Sequence, residues 1–177
     1  MKYRKSPNIK LCSFYWKFKN SKTFSFPEKR NSLRPDTIMI TNRGNENQKI
    51  FVLDSKYYRY GATKNPNHLP DSASVVKQLA YAKYIDNADT RTKLPKDVSP
   101  FIESENIYNA FIMPADTPTP ENIGYVSADY VLPQDSDKAE KPYHKIHGIL
   151  LDIKSIMYRH IPHDKKLIEE LAELIKY

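Results

Sequence analysis

Cysteine, glycine and long apolar runs are all scarce in this chain. With Cys12 as the single cysteine, no internal disulfide can form, and no activating partner marks that thiol as a nucleophile. The four glycines form no glycine-rich loop ending in Gly-Lys-Ser or Gly-Lys-Thr, so the chain carries no Walker-type nucleotide site. No apolar stretch approaches the ~18 residues that a membrane span needs. The opening MKYRKSPNIKLCSFYWKF is too charged and too aromatic for a secretory signal. A soluble, cytoplasmic protein with no membrane contact is expected. Acids are missing from the front: residues 1–34 hold only Glu28 against ten Lys and Arg, whereas 35–177 hold 18 basic and 20 acidic residues.

The whole excess of the +7 net charge therefore lies in the first 34 of 177 residues. There the cations alternate with Tyr3, Phe14, Tyr15, Trp16, Phe18, Phe24 and Phe26. Charges set among aromatic faces suit a nucleic-acid backbone, which makes Lys17, Lys19, Arg30 and Arg34 candidate DNA contacts. The plainer alternative is one or two edge strands with a solvated lysine face. The length fits a single domain with a real core. The expected division is a basic lead-in over 1–34 and the main body over 35–177.

Strand signals followed by helix signals predict an α/β fold with a mixed central sheet flanked by helices. TFSFP (23–27) is a short strand candidate. DTIMI (36–40) and KIFVLD (49–54) are apolar, rich in β-branched residues and separated by the turn-like TNRGNENQ, which predicts a hairpin. Asp71 or Ser72 can cap a helix over SASVVKQLAYAKYI, with Val75, Val76, Leu79 and Ala82 as its apolar stripe and Lys77, Tyr81 and Tyr84 on another face. Residues 86–105 read as polar loop, 107–114 and 122–132 as strands, 133–142 as a linker, and 146–151 as a buried strand. DKKLIEELAELIKY closes the chain as an amphipathic helix capped by Asp164.

KIFVLDSKYYRYG carries the chemistry. In a strand, Asp54 and Lys56 share a face and Ser55 points away. Paired residues of an antiparallel hairpin have a constant sum, and a midpoint at residue 45, inside NRGNEN, sets Asp36 opposite Asp54 with Cβ atoms roughly 5 Å apart. Two facing carboxylates repel unless a cation or a shared proton compensates. Lys56 supplies one positive charge, and two hard oxygen donors suit a magnesium ion whose remaining ligands are waters and phosphate oxygens. Such an ion activates water and neutralises charge at phosphorus, with Lys56 orienting the water or stabilising the developing charge. The expected product is a phosphodiester-cleaving site.

Pro35-Asp36 followed by Asp54-Ser55-Lys56 after an apolar strand resembles the signature of the PD-(D/E)XK nuclease superfamily. Many of its members carry a glutamine and a tyrosine on the next helix, and VVKQLAYAKY offers Gln78 and Tyr81 with Lys77 beside them. The spacing departs from the common glutamine-x-x-x-tyrosine form, since Ala82 stands four residues after Gln78. More narrowly, RPDTIMI, FVLDSKYYRYG, KQLAY and IHGILLDIKS look like the LlaJI-type restriction endonucleases, relatives of the McrC nuclease subunit. The resemblance implies a restriction-endonuclease-like core and a site-specific deoxyribonuclease that cuts double-stranded DNA with Mg2+, or Mn2+ as substitute. Asp36 and Asp54 would be its metal ligands, Lys56 its third catalytic group, and Gln78, Tyr81 and Lys77 its supports. It also implies an AAA+ GTPase subunit as partner and a dimer during cleavage. Such nucleases usually bring a further acid from a helix ahead of the first core strand; here only Glu28 stands in a lead-in that looks shortened.

Other features are weaker. Asp152-x-Lys154 repeats the acid-x-lysine pattern without a preceding proline-aspartate at hairpin distance, and reads as an exposed strand end. His144-x-x-His147 and His160-x-x-His163 lack the ligand set of a zinc site, and their spacing puts strand residues on opposite faces. Tyr58 and Arg59, among the KYYRYG aromatics, are candidate DNA-backbone contacts. The rival reading from a different class is a non-catalytic DNA-binding or assembly module on a decayed nuclease fold. Within enzymes, the rival is a junction resolvase or repair nuclease.

Overall fold

The computed structural model describes residues 35–87, 94–127, 141–154 and 165–176, together with the backbone of two short paired strands, β1 (Cys12–Ser13) and β2 (Ser32–Leu33). The strand expected at 23–27, the linker at 133–140 and the Asp164 cap lie outside the described residues. The body begins with the hairpin of β3 (Thr37–Thr41) and β4 (Lys49–Ser55). It continues through a short helix α1 (Tyr60–Thr63) and the long helix α2 (Ser72–Asp86) to β5 (Ile107–Pro114), β6 (Glu121–Ser127), β7 (Lys145–Leu151) and the helix α3 (Lys165–Lys176). The sheet order is β3-β4-β5-β7-β6, with β4, β5 and β7 parallel and the two outer strands antiparallel to their neighbours. This is the expected α/β architecture, a mixed five-stranded sheet with a restriction-endonuclease-like core.

Each face of the sheet is covered by one helix, so the central strands are apolar on both sides and read as unbroken hydrophobic runs. Ile50 and Val52 pack with Tyr81, Ala82 and Ile85 of α2. Phe51 and Leu53, one residue out of phase, pack with Leu171, Ala172 and Ile175 of α3. Asp71 caps α2 by accepting the Ser74 amide at 2.8 Å. Two expectations need correcting. The stretch expected as polar loop at 86–105 contains two 3-10 turns and buries Leu94, Val98 and Ile102 in the α2-side core, tied down because buried Gln48 donates to Val98 O at 3.1 Å. The α2 stripe is also rotated from the expected one: Val76 is exposed, and Val75, Gln78, Leu79, Tyr81, Ala82 and Ile85 are buried. Val76 and Gln78 differ by roughly 200° around a helix, so placing Gln78 inward turns Val76 out.

Candidate active site

β4 runs buried from Ile50 to Asp54 between β3 and β5, and this central position carries an aspartate to the end of the strand with its side chain 1% exposed. The hairpin register is Thr37↔Leu53 through Thr41↔Lys49, which keeps the constant sum expected from a turn centred on residue 45. Gly44, at φ +81°, and Asn42, at φ 48°, take the left-handed conformations that this turn needs. One step past the ladder, Asp36 faces Asp54. Ile38 and Ile40 pack on the α2 side with Ile50 and Val52, and Met39 packs on the α3 side, so even-numbered residues of both strands share the α2 face. Asp36, Asp54 and Lys56 belong to that even-numbered series.

Asp36 is exposed, and its Oδ2 accepts the Ser55 amide at 3.1 Å, which pins the carboxyl across the end of β4. Burial pushes the Asp54 carboxyl above its ordinary pKa, the neighbouring Asp36 carboxyl pushes it further, and Lys56 opposes both. Lys56 Nζ stands 2.8 Å from Asp54 Oδ2 as an ion pair. The Lys56 ammonium and the Asp36 carboxyl are the charged groups that meet this buried carboxylate. A carboxylate taken out of water beside a second carboxylate is costly unless cations compensate it.

The elements beyond β4 fix the cation. The Lys56 amide donates to Ile112 O at 2.9 Å, one hydrogen bond beyond the end of β4. Farther along, Gly61 of α1 lies so close to β5 that a Cβ there would stand 2.0 Å from Pro114 O. The Tyr58 hydroxyl and Ser74 Oγ are 3.2 Å apart, which ties the segment after Lys56 to the first turn of α2. On the same helix, Gln78 is buried and its Nε2 donates to Val52 O at 2.7 Å, two residues before Asp54. Its Oε1 is buried without a hydrogen-bond partner. Lys77 stands with Nζ 5.5 Å from the centre of the Tyr81 ring, and the Tyr81 hydroxyl, Asp54 and Asp36 together hold its ammonium above the ordinary lysine pKa.

Residues 15–158 match the family model described as LlaJI restriction endonuclease. The chain belongs to that family. The LlaJI match spans the hairpin, α2 and the three parallel strands, and stops short of α3. LlaJI members are restriction-type nucleases, and their substrate is DNA. No curated protein and no solved structure matches the chain.

In this LlaJI-family chain the hairpin brings Asp36, Asp54 and Lys56 together, and α2 brings Gln78 and Lys77 to the same end of the sheet. Tyr81 is buried in the α2-side core, with the Lys77 ammonium over its ring. Tyr58 is half-buried and bonded to Ser74, whereas Arg59 is exposed and Tyr57, 86% exposed, is the aromatic that faces solvent. Lys17, Lys19, Arg30, Arg34 and Glu28 lie outside the described residues, as do His160 and His163. His147 is buried and accepts from Asn122 Nδ2 at 3.0 Å, and among the described residues no group of three or more His, Cys, Asp or Glu is assembled to hold a metal. Asp152 accepts the Lys154 amide at 2.9 Å, a local turn unlike the Asp54–Lys56 ion pair. Asp71, the expected cap of α2, is held below the ordinary carboxylate range chiefly by its hydrogen bonds with Ser74 and, more weakly, by the charge of Lys56. No helix among the described residues is long and apolar enough to cross a membrane.

Proposed function

We propose that the chain is a magnesium-dependent endonuclease of PD-(D/E)XK type that hydrolyses phosphodiester bonds of double-stranded DNA, with Asp36, Asp54 and Lys56 as its active site. One observation carries this reading: two carboxylates face each other across a hairpin register, one of them buried, with a single ammonium 2.8 Å away. The donor set fits a divalent ion. Burial, and then the facing Asp36, raise the pKa of Asp54, hard oxygens suit Mg2+ or its substitute Mn2+, and a two-carboxylate set leaves room for water and phosphate ligands.

Asp36 and Asp54 would hold the ion, which when bound would lower the pKa of a water and offset charge on the phosphoryl oxygens. Asp36 is kept in place by the Ser55 amide and Asp54 by the buried strand. Lys56, with its backbone fixed by Ile112 and its ammonium held on Asp54, donates hydrogen bonds that orient the attacking water or meet the developing negative charge. Gln78 braces β4 at Val52, so the carboxylate two residues on keeps its place. Arg59 offers a positioning contact to the DNA backbone, as do Tyr58, Lys17, Lys19, Arg30 and Arg34.

The narrower likeness to the McrC nuclease subunit adds an AAA+ GTPase partner, consistent with a chain that has four glycines and no Walker loop. Cutting both strands calls for two such sites, hence a dimer during cleavage. The rival reading, a non-catalytic DNA-binding or assembly module, draws on the two-carboxylate donor set among the described residues. The test incubates the full chain and Asp54→Ala with supercoiled plasmid and Mg2+ or Mn2+, with and without a GTPase partner. Metal-dependent nicking that the substitution abolishes supports the nuclease; equal DNA binding by both proteins with no cutting in any arm supports the rival.

A further inference from the structure

The cation nearest the carboxylate pair is already committed. Lys56 is mostly covered, with 21% of its side chain exposed, and its ammonium is held on Asp54. A phosphodiester that approaches Asp36 and Asp54 brings its own negative charge and gains another during attack. Counting formal charges, two carboxylates and Lys56 sum to −1, a divalent ion brings the set to +1, and one phosphodiester takes it to zero. The charge added in the transition state is then unmatched. A second cation at the rim would match it.

Helix α2 supplies one. Ser74, Lys77 and Tyr81 fall at i, i+3 and i+7, on one line along the helix. Ser74 is tied to Tyr58, just after Lys56, and Tyr81 is buried against Ile50 and Val52 of β4. Gln78, adjacent to Lys77, is bonded into β4 two residues before Asp54. The base of Lys77 is therefore fixed over the end of β4, while the residue itself remains exposed and its ammonium lies over the Tyr81 ring. Resting on the nuclease reading, we infer that Lys77 is a phosphate-contacting catalytic cation, whose ammonium donates to a non-bridging oxygen of the DNA phosphate bound beside Asp36 and Asp54. Tyr81 is its positioning residue. Asp36, Asp54 and the Tyr81 hydroxyl keep the ammonium protonated throughout the neutral range.

The bland alternative is a counter-ion that only relieves the two carboxylates. The full-length Lys77→Gln and Lys77→Arg variants decide between them, with Lys83→Gln, exposed on the same helix, as control. Three readouts are taken: single-turnover cleavage of supercoiled plasmid with Mg2+, the Mg2+-induced rise in melting temperature, and the salt dependence of duplex binding with Ca2+ in place of Mg2+. Expected for Lys77→Gln is a loss of about 100-fold in cleavage rate, an unchanged response to Mg2+, and a salt slope smaller by about one. Lys77→Arg should recover to within about tenfold, because arginine keeps the charge but not the reach. Wild-type cleavage and salt slope in Lys77→Gln, or loss of its Mg2+ response, overturns the inference. If the parent chain fails to cut in any condition, the nuclease reading falls separately, and the salt slope alone still decides whether Lys77 meets phosphate.

Discussion

Gly61→Ala is the perturbation that most cleanly probes how the site is held. Gly61 is not among the positive-φ glycines, so alanine brings no backbone strain and its effect is purely steric. The added Cβ would stand 2.0 Å from Pro114 O and 2.9 Å from Ala115 Cβ, where contacts under 3.0 Å force something to move. The first obstacle is backbone, so α1 and β5 must separate by about 1 Å or more. Overpacking of this kind costs about 1–3 kcal/mol. In a protein of 177 residues each kcal/mol is worth roughly 2–4 °C, so melting should fall by about 2–12 °C. The segment from Lys56 to Gly61 is bonded to β5 at Ile112 O and packed closely on it at Pro114, so displacing one end moves the base of Lys56. A misplacement of about 1 Å can cost roughly 100-fold in rate. The assay pairs thermal unfolding with Mg2+-dependent plasmid cleavage, and Ala62→Ser, exposed on the same turn, serves as control. Melting within 1 °C of wild type together with unchanged cleavage would refute the reasoning that this contact sets the lysine.

Further expectations concern charge. The Asp54 pKa is raised in the fold by burial and by Asp36, so its ionised form costs stability above the unfolded carboxylate range, and the cost disappears as pH falls through the folded value. Asp54→Asn should therefore melt above wild type at neutral pH without metal, and the gap should close on acidification. Added Mg2+ should stabilise wild type alone, and the asparagine variant should not cut; the reverse order of melting would contradict this. At the opposite end of the sheet, burial pushes Asp86 up, but Lys141, Ser104 and Tyr143 outweigh it and hold the carboxyl below the ordinary aspartate value. Its contribution is present above that value and lost as pH falls through the folded one. Asp86→Ala should cost about 2–3 kcal/mol at pH 7, seen in denaturant unfolding, and the cost should shrink as pH falls through the folded value of the carboxyl. His147 is buried and paired with Asn122, so zinc should neither stabilise the chain nor support cutting; a zinc-induced rise in melting that His147→Gln removes would be the contrary result.

The site was legible because its parts obey short-range rules. A turn composition centred on residue 45 sets the hairpin register, and period-two alternation then puts Asp36, Asp54 and Lys56 on one face. The parallel strands were legible as apolar runs. What escaped depends on long-range contacts. Leu94, Val98 and Ile102 sit among prolines and charges, and the Gln48 amide and the Arg43–Asp97 ion pair, each from about 50 residues upstream, tie that stretch to the core. The phase of α2 was misjudged because a polar residue, Gln78, occupies the middle of its buried stripe to reach Val52 O. Counting apolar residues alone therefore assigned Val76 to the interior and left Tyr81 outside. The family resemblance implies Lys77 beside the carboxylates, and the rotation of α2 that Gln78 sets is what carries it there.

The most direct measurement is anomalous diffraction from crystals grown with Mn2+. A single peak within about 2.1 Å of one oxygen from each of Asp36 and Asp54 is the expected result, and it should vanish in Asp36→Ala. Well-ordered crystals with no peak between those two carboxyls, or with manganese bound only elsewhere on the chain, would contradict a metal-dependent nuclease built on this hairpin.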